Sequence, residues 1–168
     1  MKKLHLALAL SLMAAPVMAA DLGGVTLKVG SDTTSPPMEM IDEATGQIVG
    51  FDIDVVNAIC AKINCKAEFV TTGWDGIFVA LGEGQFDLVA SGVSITDERK
   101  NSVDFSSPYY ETAQTVITVK GSKAASAKTI ADLKGLTIGA STGTTSFDAI
   151  EKVIKPTSGA QVFNSNDD

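Results

Sequence analysis

The chain has 168 residues, 45% hydrophobic, 20% charged and 6% aromatic, which places it among globular proteins and excludes disordered, collagenous and low-complexity classes. Thirteen basic residues stand against 20 acidic ones, net −7, a balance that speaks against a nucleic-acid partner. The single histidine, His5, and the single arginine, Arg99, narrow the available chemistry further.

Residues 1–20 read as an export signal. Lys2 and Lys3 form its basic end, Leu4 to Met13 its apolar stretch, and Val17-Met18-Ala19 a small-residue site, with cleavage expected after Ala19 or Ala20. No cysteine adjoins that site, so no lipoprotein anchor is expected, and no later stretch reaches the roughly 20 apolar residues of a membrane span. The expected location is the periplasm. His5 falls inside the leader, so the exported chain has no imidazole for Ser-His-Asp or Cys-His catalysis or for a His-ligated zinc. No metal and no cofactor is expected.

Next in order, Thr26 to Gly30 alternates as a strand, and Asp52 to Ile63 places Ile53, Val56, Ala58, Ile59 and Ile63 on one helical face. Cys60 and Cys65, five positions apart in an oxidising compartment, predict a local disulfide pinning the end of that helix to the following strand. A lone C-x4-C lacks the spacing and further ligands of a metal or redox site. Ala67 to Val70 reads as a second strand, Trp74 to Leu81 as a helix stopped by Gly82 and Gly84, and Phe86 to Ala90 as a buried third strand. Strand and helix in alternation with short links predict α/β with right-handed crossovers. Ala113 to Val119 is strand-like, and the small polar stretch from Gly121 to Lys128 marks a boundary. Beyond it Thr129 caps a helix through Leu133, Leu136 to Ala140 is a strand, Ser146 to Ile154 a helix and Ala160 to Phe163 a strand.

Four stretches carry side chains suited to binding. In Gly50-Phe51-Asp52-Ile53-Asp54, Asp52 is placed to cap a helix and Asp54 to complement its dipole. Trp74 stands at a helix entrance, where an aromatic serves either core packing or ligand stacking. Ser91 to Arg99 follows a buried strand, at the edge where α/β sheets bind ligands, and offers Ser91, Gly92, Ser94 and the only arginine. A planar, bidentate grip on a carboxylate must use Arg99; the competing reading is a surface pair with Asp97 or Glu98. Gly139 to Thr145 is a strand-to-helix loop of small hydroxylated residues that suits an anion. It is no phosphate loop of the G-x-x-x-x-G-K type, since no lysine follows Gly143.

Together these segments resemble the bacterial extracellular solute-binding proteins of family 3, the polar amino-acid receptors of ABC transporters, over residues 25–168. The resemblance rests on G-F-D-I-D at 50–54, W-D-G-I at 74–77, F-D-L-V-A-S-G-V-S-I-T-D-E-R at 86–99, V-D-F-S-S-P-Y-Y at 103–110 and G-T-T at 143–145. It implies a type II periplasmic binding protein fold, α/β throughout, with two lobes joined by hinge strands. Residues 21–112 then form lobe 1, and residues 113–168 a hinge strand, around Ala113 to Val119, with part of lobe 2. Position by position, Arg99 is similar to the residue that grips the ligand α-carboxylate, helped by Ser94 and Thr145. Gly92, through its carbonyl, and Ser94 match positions that meet the α-ammonium group, beside Ser91. Asp32 matches a position that faces a cationic side chain, and Trp74 a wall of the side-chain pocket. At Ser35 the chain departs from an aromatic that stacks on the ligand in many members.

The implied partners are a free amino acid, polar or cationic, and an inner-membrane permease, with a monomeric full-length receptor. A sensor ectodomain and an enzyme resembling periplasmic cyclohexadienyl dehydratases are the alternatives. Family members continue with more of lobe 2, a second hinge strand and a return into lobe 1. The acidic residue that meets the ligand ammonium is expected in that continuation, beyond Asp168.

Overall fold

The computed structural model describes residues 20–167. The expected leader and its cleavage site therefore lie outside the described residues, except for Ala20. Among the described residues, no helix is long and apolar enough to cross a membrane.

The first α/β unit is built on β1 (Val25–Ser31), which pairs in parallel with β5 (Cys65–Thr71) on one side and with the short β6 (Leu88–Val89) on the other. Between β1 and β5 the chain makes a small antiparallel sheet of β2 (Thr34–Ser35), β3 (Glu39–Ile41) and β4 (Ile48–Val49), then enters helix α1 (Phe51–Ile63). A 3-10 turn at Trp74–Gly76 leads into α2 (Ile77–Gly82). Val29, Val56 and Ala90 form the core, with Ala67, Phe69 and Leu88 packed against them.

The second unit holds α3 (Ile130–Leu133), β7 (Ile138–Ser141), α4 (Thr145–Ala149) continuing as a π-helical stretch Ile150–Ile154, and β8 (Ala160–Phe163), parallel to β7. Thr129 and Asp132 make a reciprocal capping box at the start of α3. Leu133, Ile150 and Ile154 form a separate core with Leu136, Ile138, Ala140 and Ala160. Parallel βα alternation is what the apolar periodicity predicted.

Three expectations need correction. Only Ile53, Val56 and Cys60 are the buried apolar residues of α1; Ala58 and Ile59 face solvent, Ile59 at 49% exposure, because the stripe in contact with the sheet is narrower than the apolar pattern. Asp52 does not cap α1: Gly50 occupies the cap position, and the Asp52 carboxylate turns inward, fully buried. Ala113 to Val119 forms no strand among the described residues, since no described chain lies alongside to complete a ladder; Ile117 and Val119 are 92% and 79% exposed.

The disulfide is present as expected, between Cys60 near the end of α1 and Cys65 at the start of β5. Asn64, left-handed at the helix end, makes the sharp turn between them, its N–H donating to the Cys60 carbonyl. A loop this short contributes about 2 kcal/mol through the unfolded chain. Replacing both cysteines by serine is therefore expected to lower unfolding free energy by about that amount in a denaturant titration, while ligand affinity changes little.

Candidate functional site

The segment after β6 is set by backbone and buried polar contacts. Ala90 N–H donates to Gly30 O at 3.0 Å, carrying the chain to the carboxyl edge of the sheet. There the buried Ser91 hydroxyl accepts from Asp32 N–H at 2.9 Å and donates to Glu39 Oε1 at 3.1 Å. The Gly92 N–H donates to Asp52 Oδ2 at 2.6 Å. Asp32 is itself buried, with Oδ1 accepting the Thr34 hydroxyl at 3.0 Å.

Seven residues on, Arg99 opens a 3-10 turn, its backbone N–H tied to the Thr96 hydroxyl at 3.1 Å. Its guanidinium carbon lies 5.2 Å from the Trp74 ring centroid and 5.3 Å from that of Phe78, two aromatics set edge to face with each other. Nη1 donates to Ser94 O and Nη2 to Gly143 O, both at 2.9 Å, so one guanidinium ties the two units together. The surface-pair alternative is not realised: Asp97 instead takes Lys100 at 3.1 Å, and among the described residues Arg99 forms no ion pair. Partial burial lowers the Arg99 pKa from its ordinary value, while the carboxylates of Asp148 and Glu98 act in the opposite direction.

Ser94–Thr145 and Asn166–Ser35 bonds also cross between the units, and Gln114 ties the segment after residue 112 to α4. The Ser94 and Thr145 hydroxyls are 3.2 Å apart, and Gln114 Nε2 donates to Thr145 at 2.9 Å while its Oε1 accepts from Ser146 at 2.8 Å. Asn166 donates to Ser35 at 2.7 Å and accepts from Ser141 at 3.0 Å. The loop before α4 has its amides partly committed: the Thr144 hydroxyl accepts from Phe147 N–H and donates to Ser141 O. A cavity of about 250 Å³ lies beside Arg99, lined by Phe78, Thr96, Glu98, Ser102, Gly143 and Thr145 among others. Of the expected site residues, the structure thus gathers Trp74, Ser94, Arg99 and Thr145 at the junction. Asp32, Ser91 and Gly92 form an adjoining cluster at the sheet edge, outside that cavity, and the Ser91 hydroxyl is engaged with its neighbours on both its donor and acceptor sides.

Beneath Ser91 and Gly92 lies a pair of acids, Glu39 at 1% and Asp52 at 0% exposure. The two carboxyl groups lie within electrostatic reach of each other, and the Tyr109 hydroxyl lies near Asp52. Loss of water around Glu39, followed by the negative charge of Asp52, pushes its pKa from an ordinary 4.5 up to about 8. Burial, and then Asp52, likewise push the Tyr109 hydroxyl upward. Between pH 4.5 and about 8 the unfolded chain has released a proton that the folded chain keeps. Stability from this group is therefore full below pH 4.5 and declines as pH rises through that window, with a limiting slope of ~1.4 kcal/mol per pH unit. Asp21, Asp42 and Asp132, lowered by hydrogen bonds, work in the opposite sense in the acid range. Denaturant titrations at steps from pH 5 to 8 are expected to show the decline, and to show it reduced in Glu39→Gln.

Sequence reasoning missed Glu39, Phe78, Gln114 and Asn166. Phe78 was recoverable, because it follows Trp74 by four positions and so shares its helix face. Glu39 carried a weaker signal, a lone acid between two methionines. Gln114 and Asn166 are reached only through contacts between distant segments, which no local pattern encodes.

Comparison with known proteins bears on this arrangement. The description "Bacterial extracellular solute-binding proteins, family 3" matches residues 27–166. The chain is 41% identical over 132 residues to a probable histidine-binding protein of Neisseria gonorrhoeae, covering 78% of this chain and 48% of that protein. It is 39% identical over 145 residues to ABC transporter arginine-binding protein 1 of Escherichia coli, covering 86% and 56%. Among solved structures, an ancestral arginine-binding protein bound to arginine is similar with a TM-score of 0.75 at 40% identity, over 83% of this chain and 61% of that one. An ancestral amino acid-binding protein described as a precursor of cyclohexadienyl dehydratase gives 0.76 at 40% identity, over 84% and 62%. The chain spans about half the length of the curated relatives it matches. With parallel α/β units, a family match over most of its length and this structural likeness, the chain belongs to the bacterial extracellular solute-binding proteins, family 3.

Proposed function

We propose that this chain supplies the carboxylate-gripping part of a periplasmic receptor that captures a free amino acid between two lobes, residues 21–112 and 113–168, and delivers it to an ABC-transporter permease. The observation that carries this reading is the placement of the only arginine, packed against the Trp74–Phe78 pair and bonded to both units. A guanidinium has five N–H donors; Ser94 O and Gly143 O take two of them, leaving three for a planar carboxylate. The hydroxyls of Ser94 and Thr145, one from each unit, share one proton between them and leave the other free to donate beside it. A ligand that engages both units stabilises their closed arrangement, and closure is then the signal a permease reads. A cationic side chain fits the acidic balance of the chain and the Asp32 carboxylate, and relatives bear the names of arginine- and histidine-binding proteins. The receptor acts as an exported monomer, and its chemistry is binding without bond making. The structural relative that is a precursor of a dehydratase is itself described as amino acid-binding.

Trp74, the only tryptophan, reports on this site directly. Fluorescence titration with arginine, histidine, lysine and glutamine is expected to give a saturable change with at least one of them, and none with the decarboxylated counterparts agmatine and histamine. An equal response to agmatine and arginine would move carboxylate recognition away from Arg99.

A further inference from the structure

The acids beneath the sheet edge have an arrangement that solvent contact does not explain. Glu39 Oε1 accepts the Ser91 hydroxyl, and Asp52 Oδ2 accepts the Gly92 amide. Each side chain then has one buried oxygen, Glu39 Oε2 and Asp52 Oδ1, without a hydrogen-bond donor. Two ionised carboxylates here would leave both buried oxygens uncompensated, at a large cost. One proton held between the two groups satisfies both. Among the described residues, no group of three or more His, Cys, Asp or Glu side chains is placed to hold a metal ion instead.

We propose that Glu39 and Asp52 form a proton-sharing carboxyl pair that fixes the Ser91–Gly92 segment in its ligand-facing position, making both acids positioning residues for the binding site. The proposal rests on the receptor reading above for what the segment is positioned to do. The pair joins three parts of the chain: β3 through Glu39, α1 through Asp52, and the segment after β6 through Ser91 and Gly92. The ionisable groups facing it are Asp32, from the turn after β1, and Tyr109. The negative charge of Asp32 favours retention of the shared proton, while Tyr109 stays a neutral hydroxyl beside the pair. When the proton leaves in mild alkali, two adjacent anions repel, and the bonds to Ser91 and Gly92 lose their fixed anchor. Consistent with this, Glu39 is held protonated to about pH 8.

The test is a pH series from 6 to 10 on the whole chain, following the Gly92 amide by 15N–1H NMR without ligand and amino-acid affinity by calorimetry. In the unaltered protein the Gly92 resonance is expected to titrate with a midpoint near 8, and affinity to fall at least several-fold above it. Glu39→Gln supplies a permanent N–H to Asp52 and an acceptor to Ser91, so its Gly92 resonance is expected to stay flat over the same range. Glu39→Leu is expected to weaken binding at pH 7 by about 10-fold or more, and Glu39→Gln to recover most of that loss. A Gly92 resonance that does not move between pH 6 and 10, or that titrates identically in Glu39→Gln, would overturn the proposal. Should no amino acid bind the unaltered protein, the receptor reading fails, while the ligand-free NMR series still decides whether the proton is shared.

Discussion

Arg99→Ala is expected to weaken amino-acid binding by roughly 30-fold to several thousand-fold without unfolding the protein. Truncating one member of a desolvated, hydrogen-bonded charge pair costs on the order of 2 to 5 kcal/mol. The surroundings of Arg99 meet that condition: the rings of Trp74 and Phe78 pack against the partly buried guanidinium, and carbonyls from both units fix the fork. Arg99→Lys is expected to recover little, since an ammonium cannot present two parallel donors or lay a flat guanidinium against the rings. Had Arg99 made only an exposed pair with Asp97 or Glu98, both substitutions would change affinity by less than about 1 kcal/mol. Calorimetric titration of both variants against the standard amino acids separates the two cases. Circular dichroism of each variant should match that of the unaltered chain, because Arg99 is in neither hydrophobic core.

Gly50→Ala is expected to be the most destabilising of the conservative single-atom additions. Gly50 sits at φ 137° and ψ 178°, a conformation that essentially only glycine adopts. An added Cβ would lie 2.3 Å from the Met38 carbonyl oxygen and 2.7 Å from its carbon. Both are backbone atoms, held by the bond from Asp52 N–H to Met38 O at 3.0 Å and by the β3–β4 pairing next to them. Strain and overpacking together cost about 3 kcal/mol or more, a shift in Tm on the order of 10 °C. Gly76→Ala is the control: its φ is −103° and nothing lies within 4 Å of the added carbon. If Gly50→Ala melted within a degree or two of the control, the close approach of α1 to the β3 hairpin would be wrong.

These two residues also mark where the fold was legible. The βα alternation followed from apolar spacing, because each strand and helix buries one face whose residues recur at a fixed period. The disulfide followed from spacing and compartment, and Trp74, Ser94, Arg99 and Thr145 were found as motif residues that the structure brings to one junction. The β2–β3–β4 sheet was not anticipated, since its strands are two or three residues long and too short to show alternation. Asp52 was misread for a physical reason. An aspartate at a helix start is an ordinary cap by local rules, and only the approach of Gly92, forty positions away, turns it into a buried acceptor. Glu39 and Asn166 belong to the same class, residues whose role is fixed by a partner remote in sequence.

The central claim is that Arg99 receives the carboxylate of a free amino acid at the junction of two α/β units. Because the chain has one arginine, 15N labelling of arginine alone gives a single side-chain Nε–H resonance, with no assignment needed. Titrating that sample with unlabelled arginine, histidine, lysine and glutamine is expected to shift the resonance saturably for the ligand that binds, with agmatine and histamine leaving it in place. Saturable binding by calorimetry with an unmoved Arg99 resonance would contradict the account.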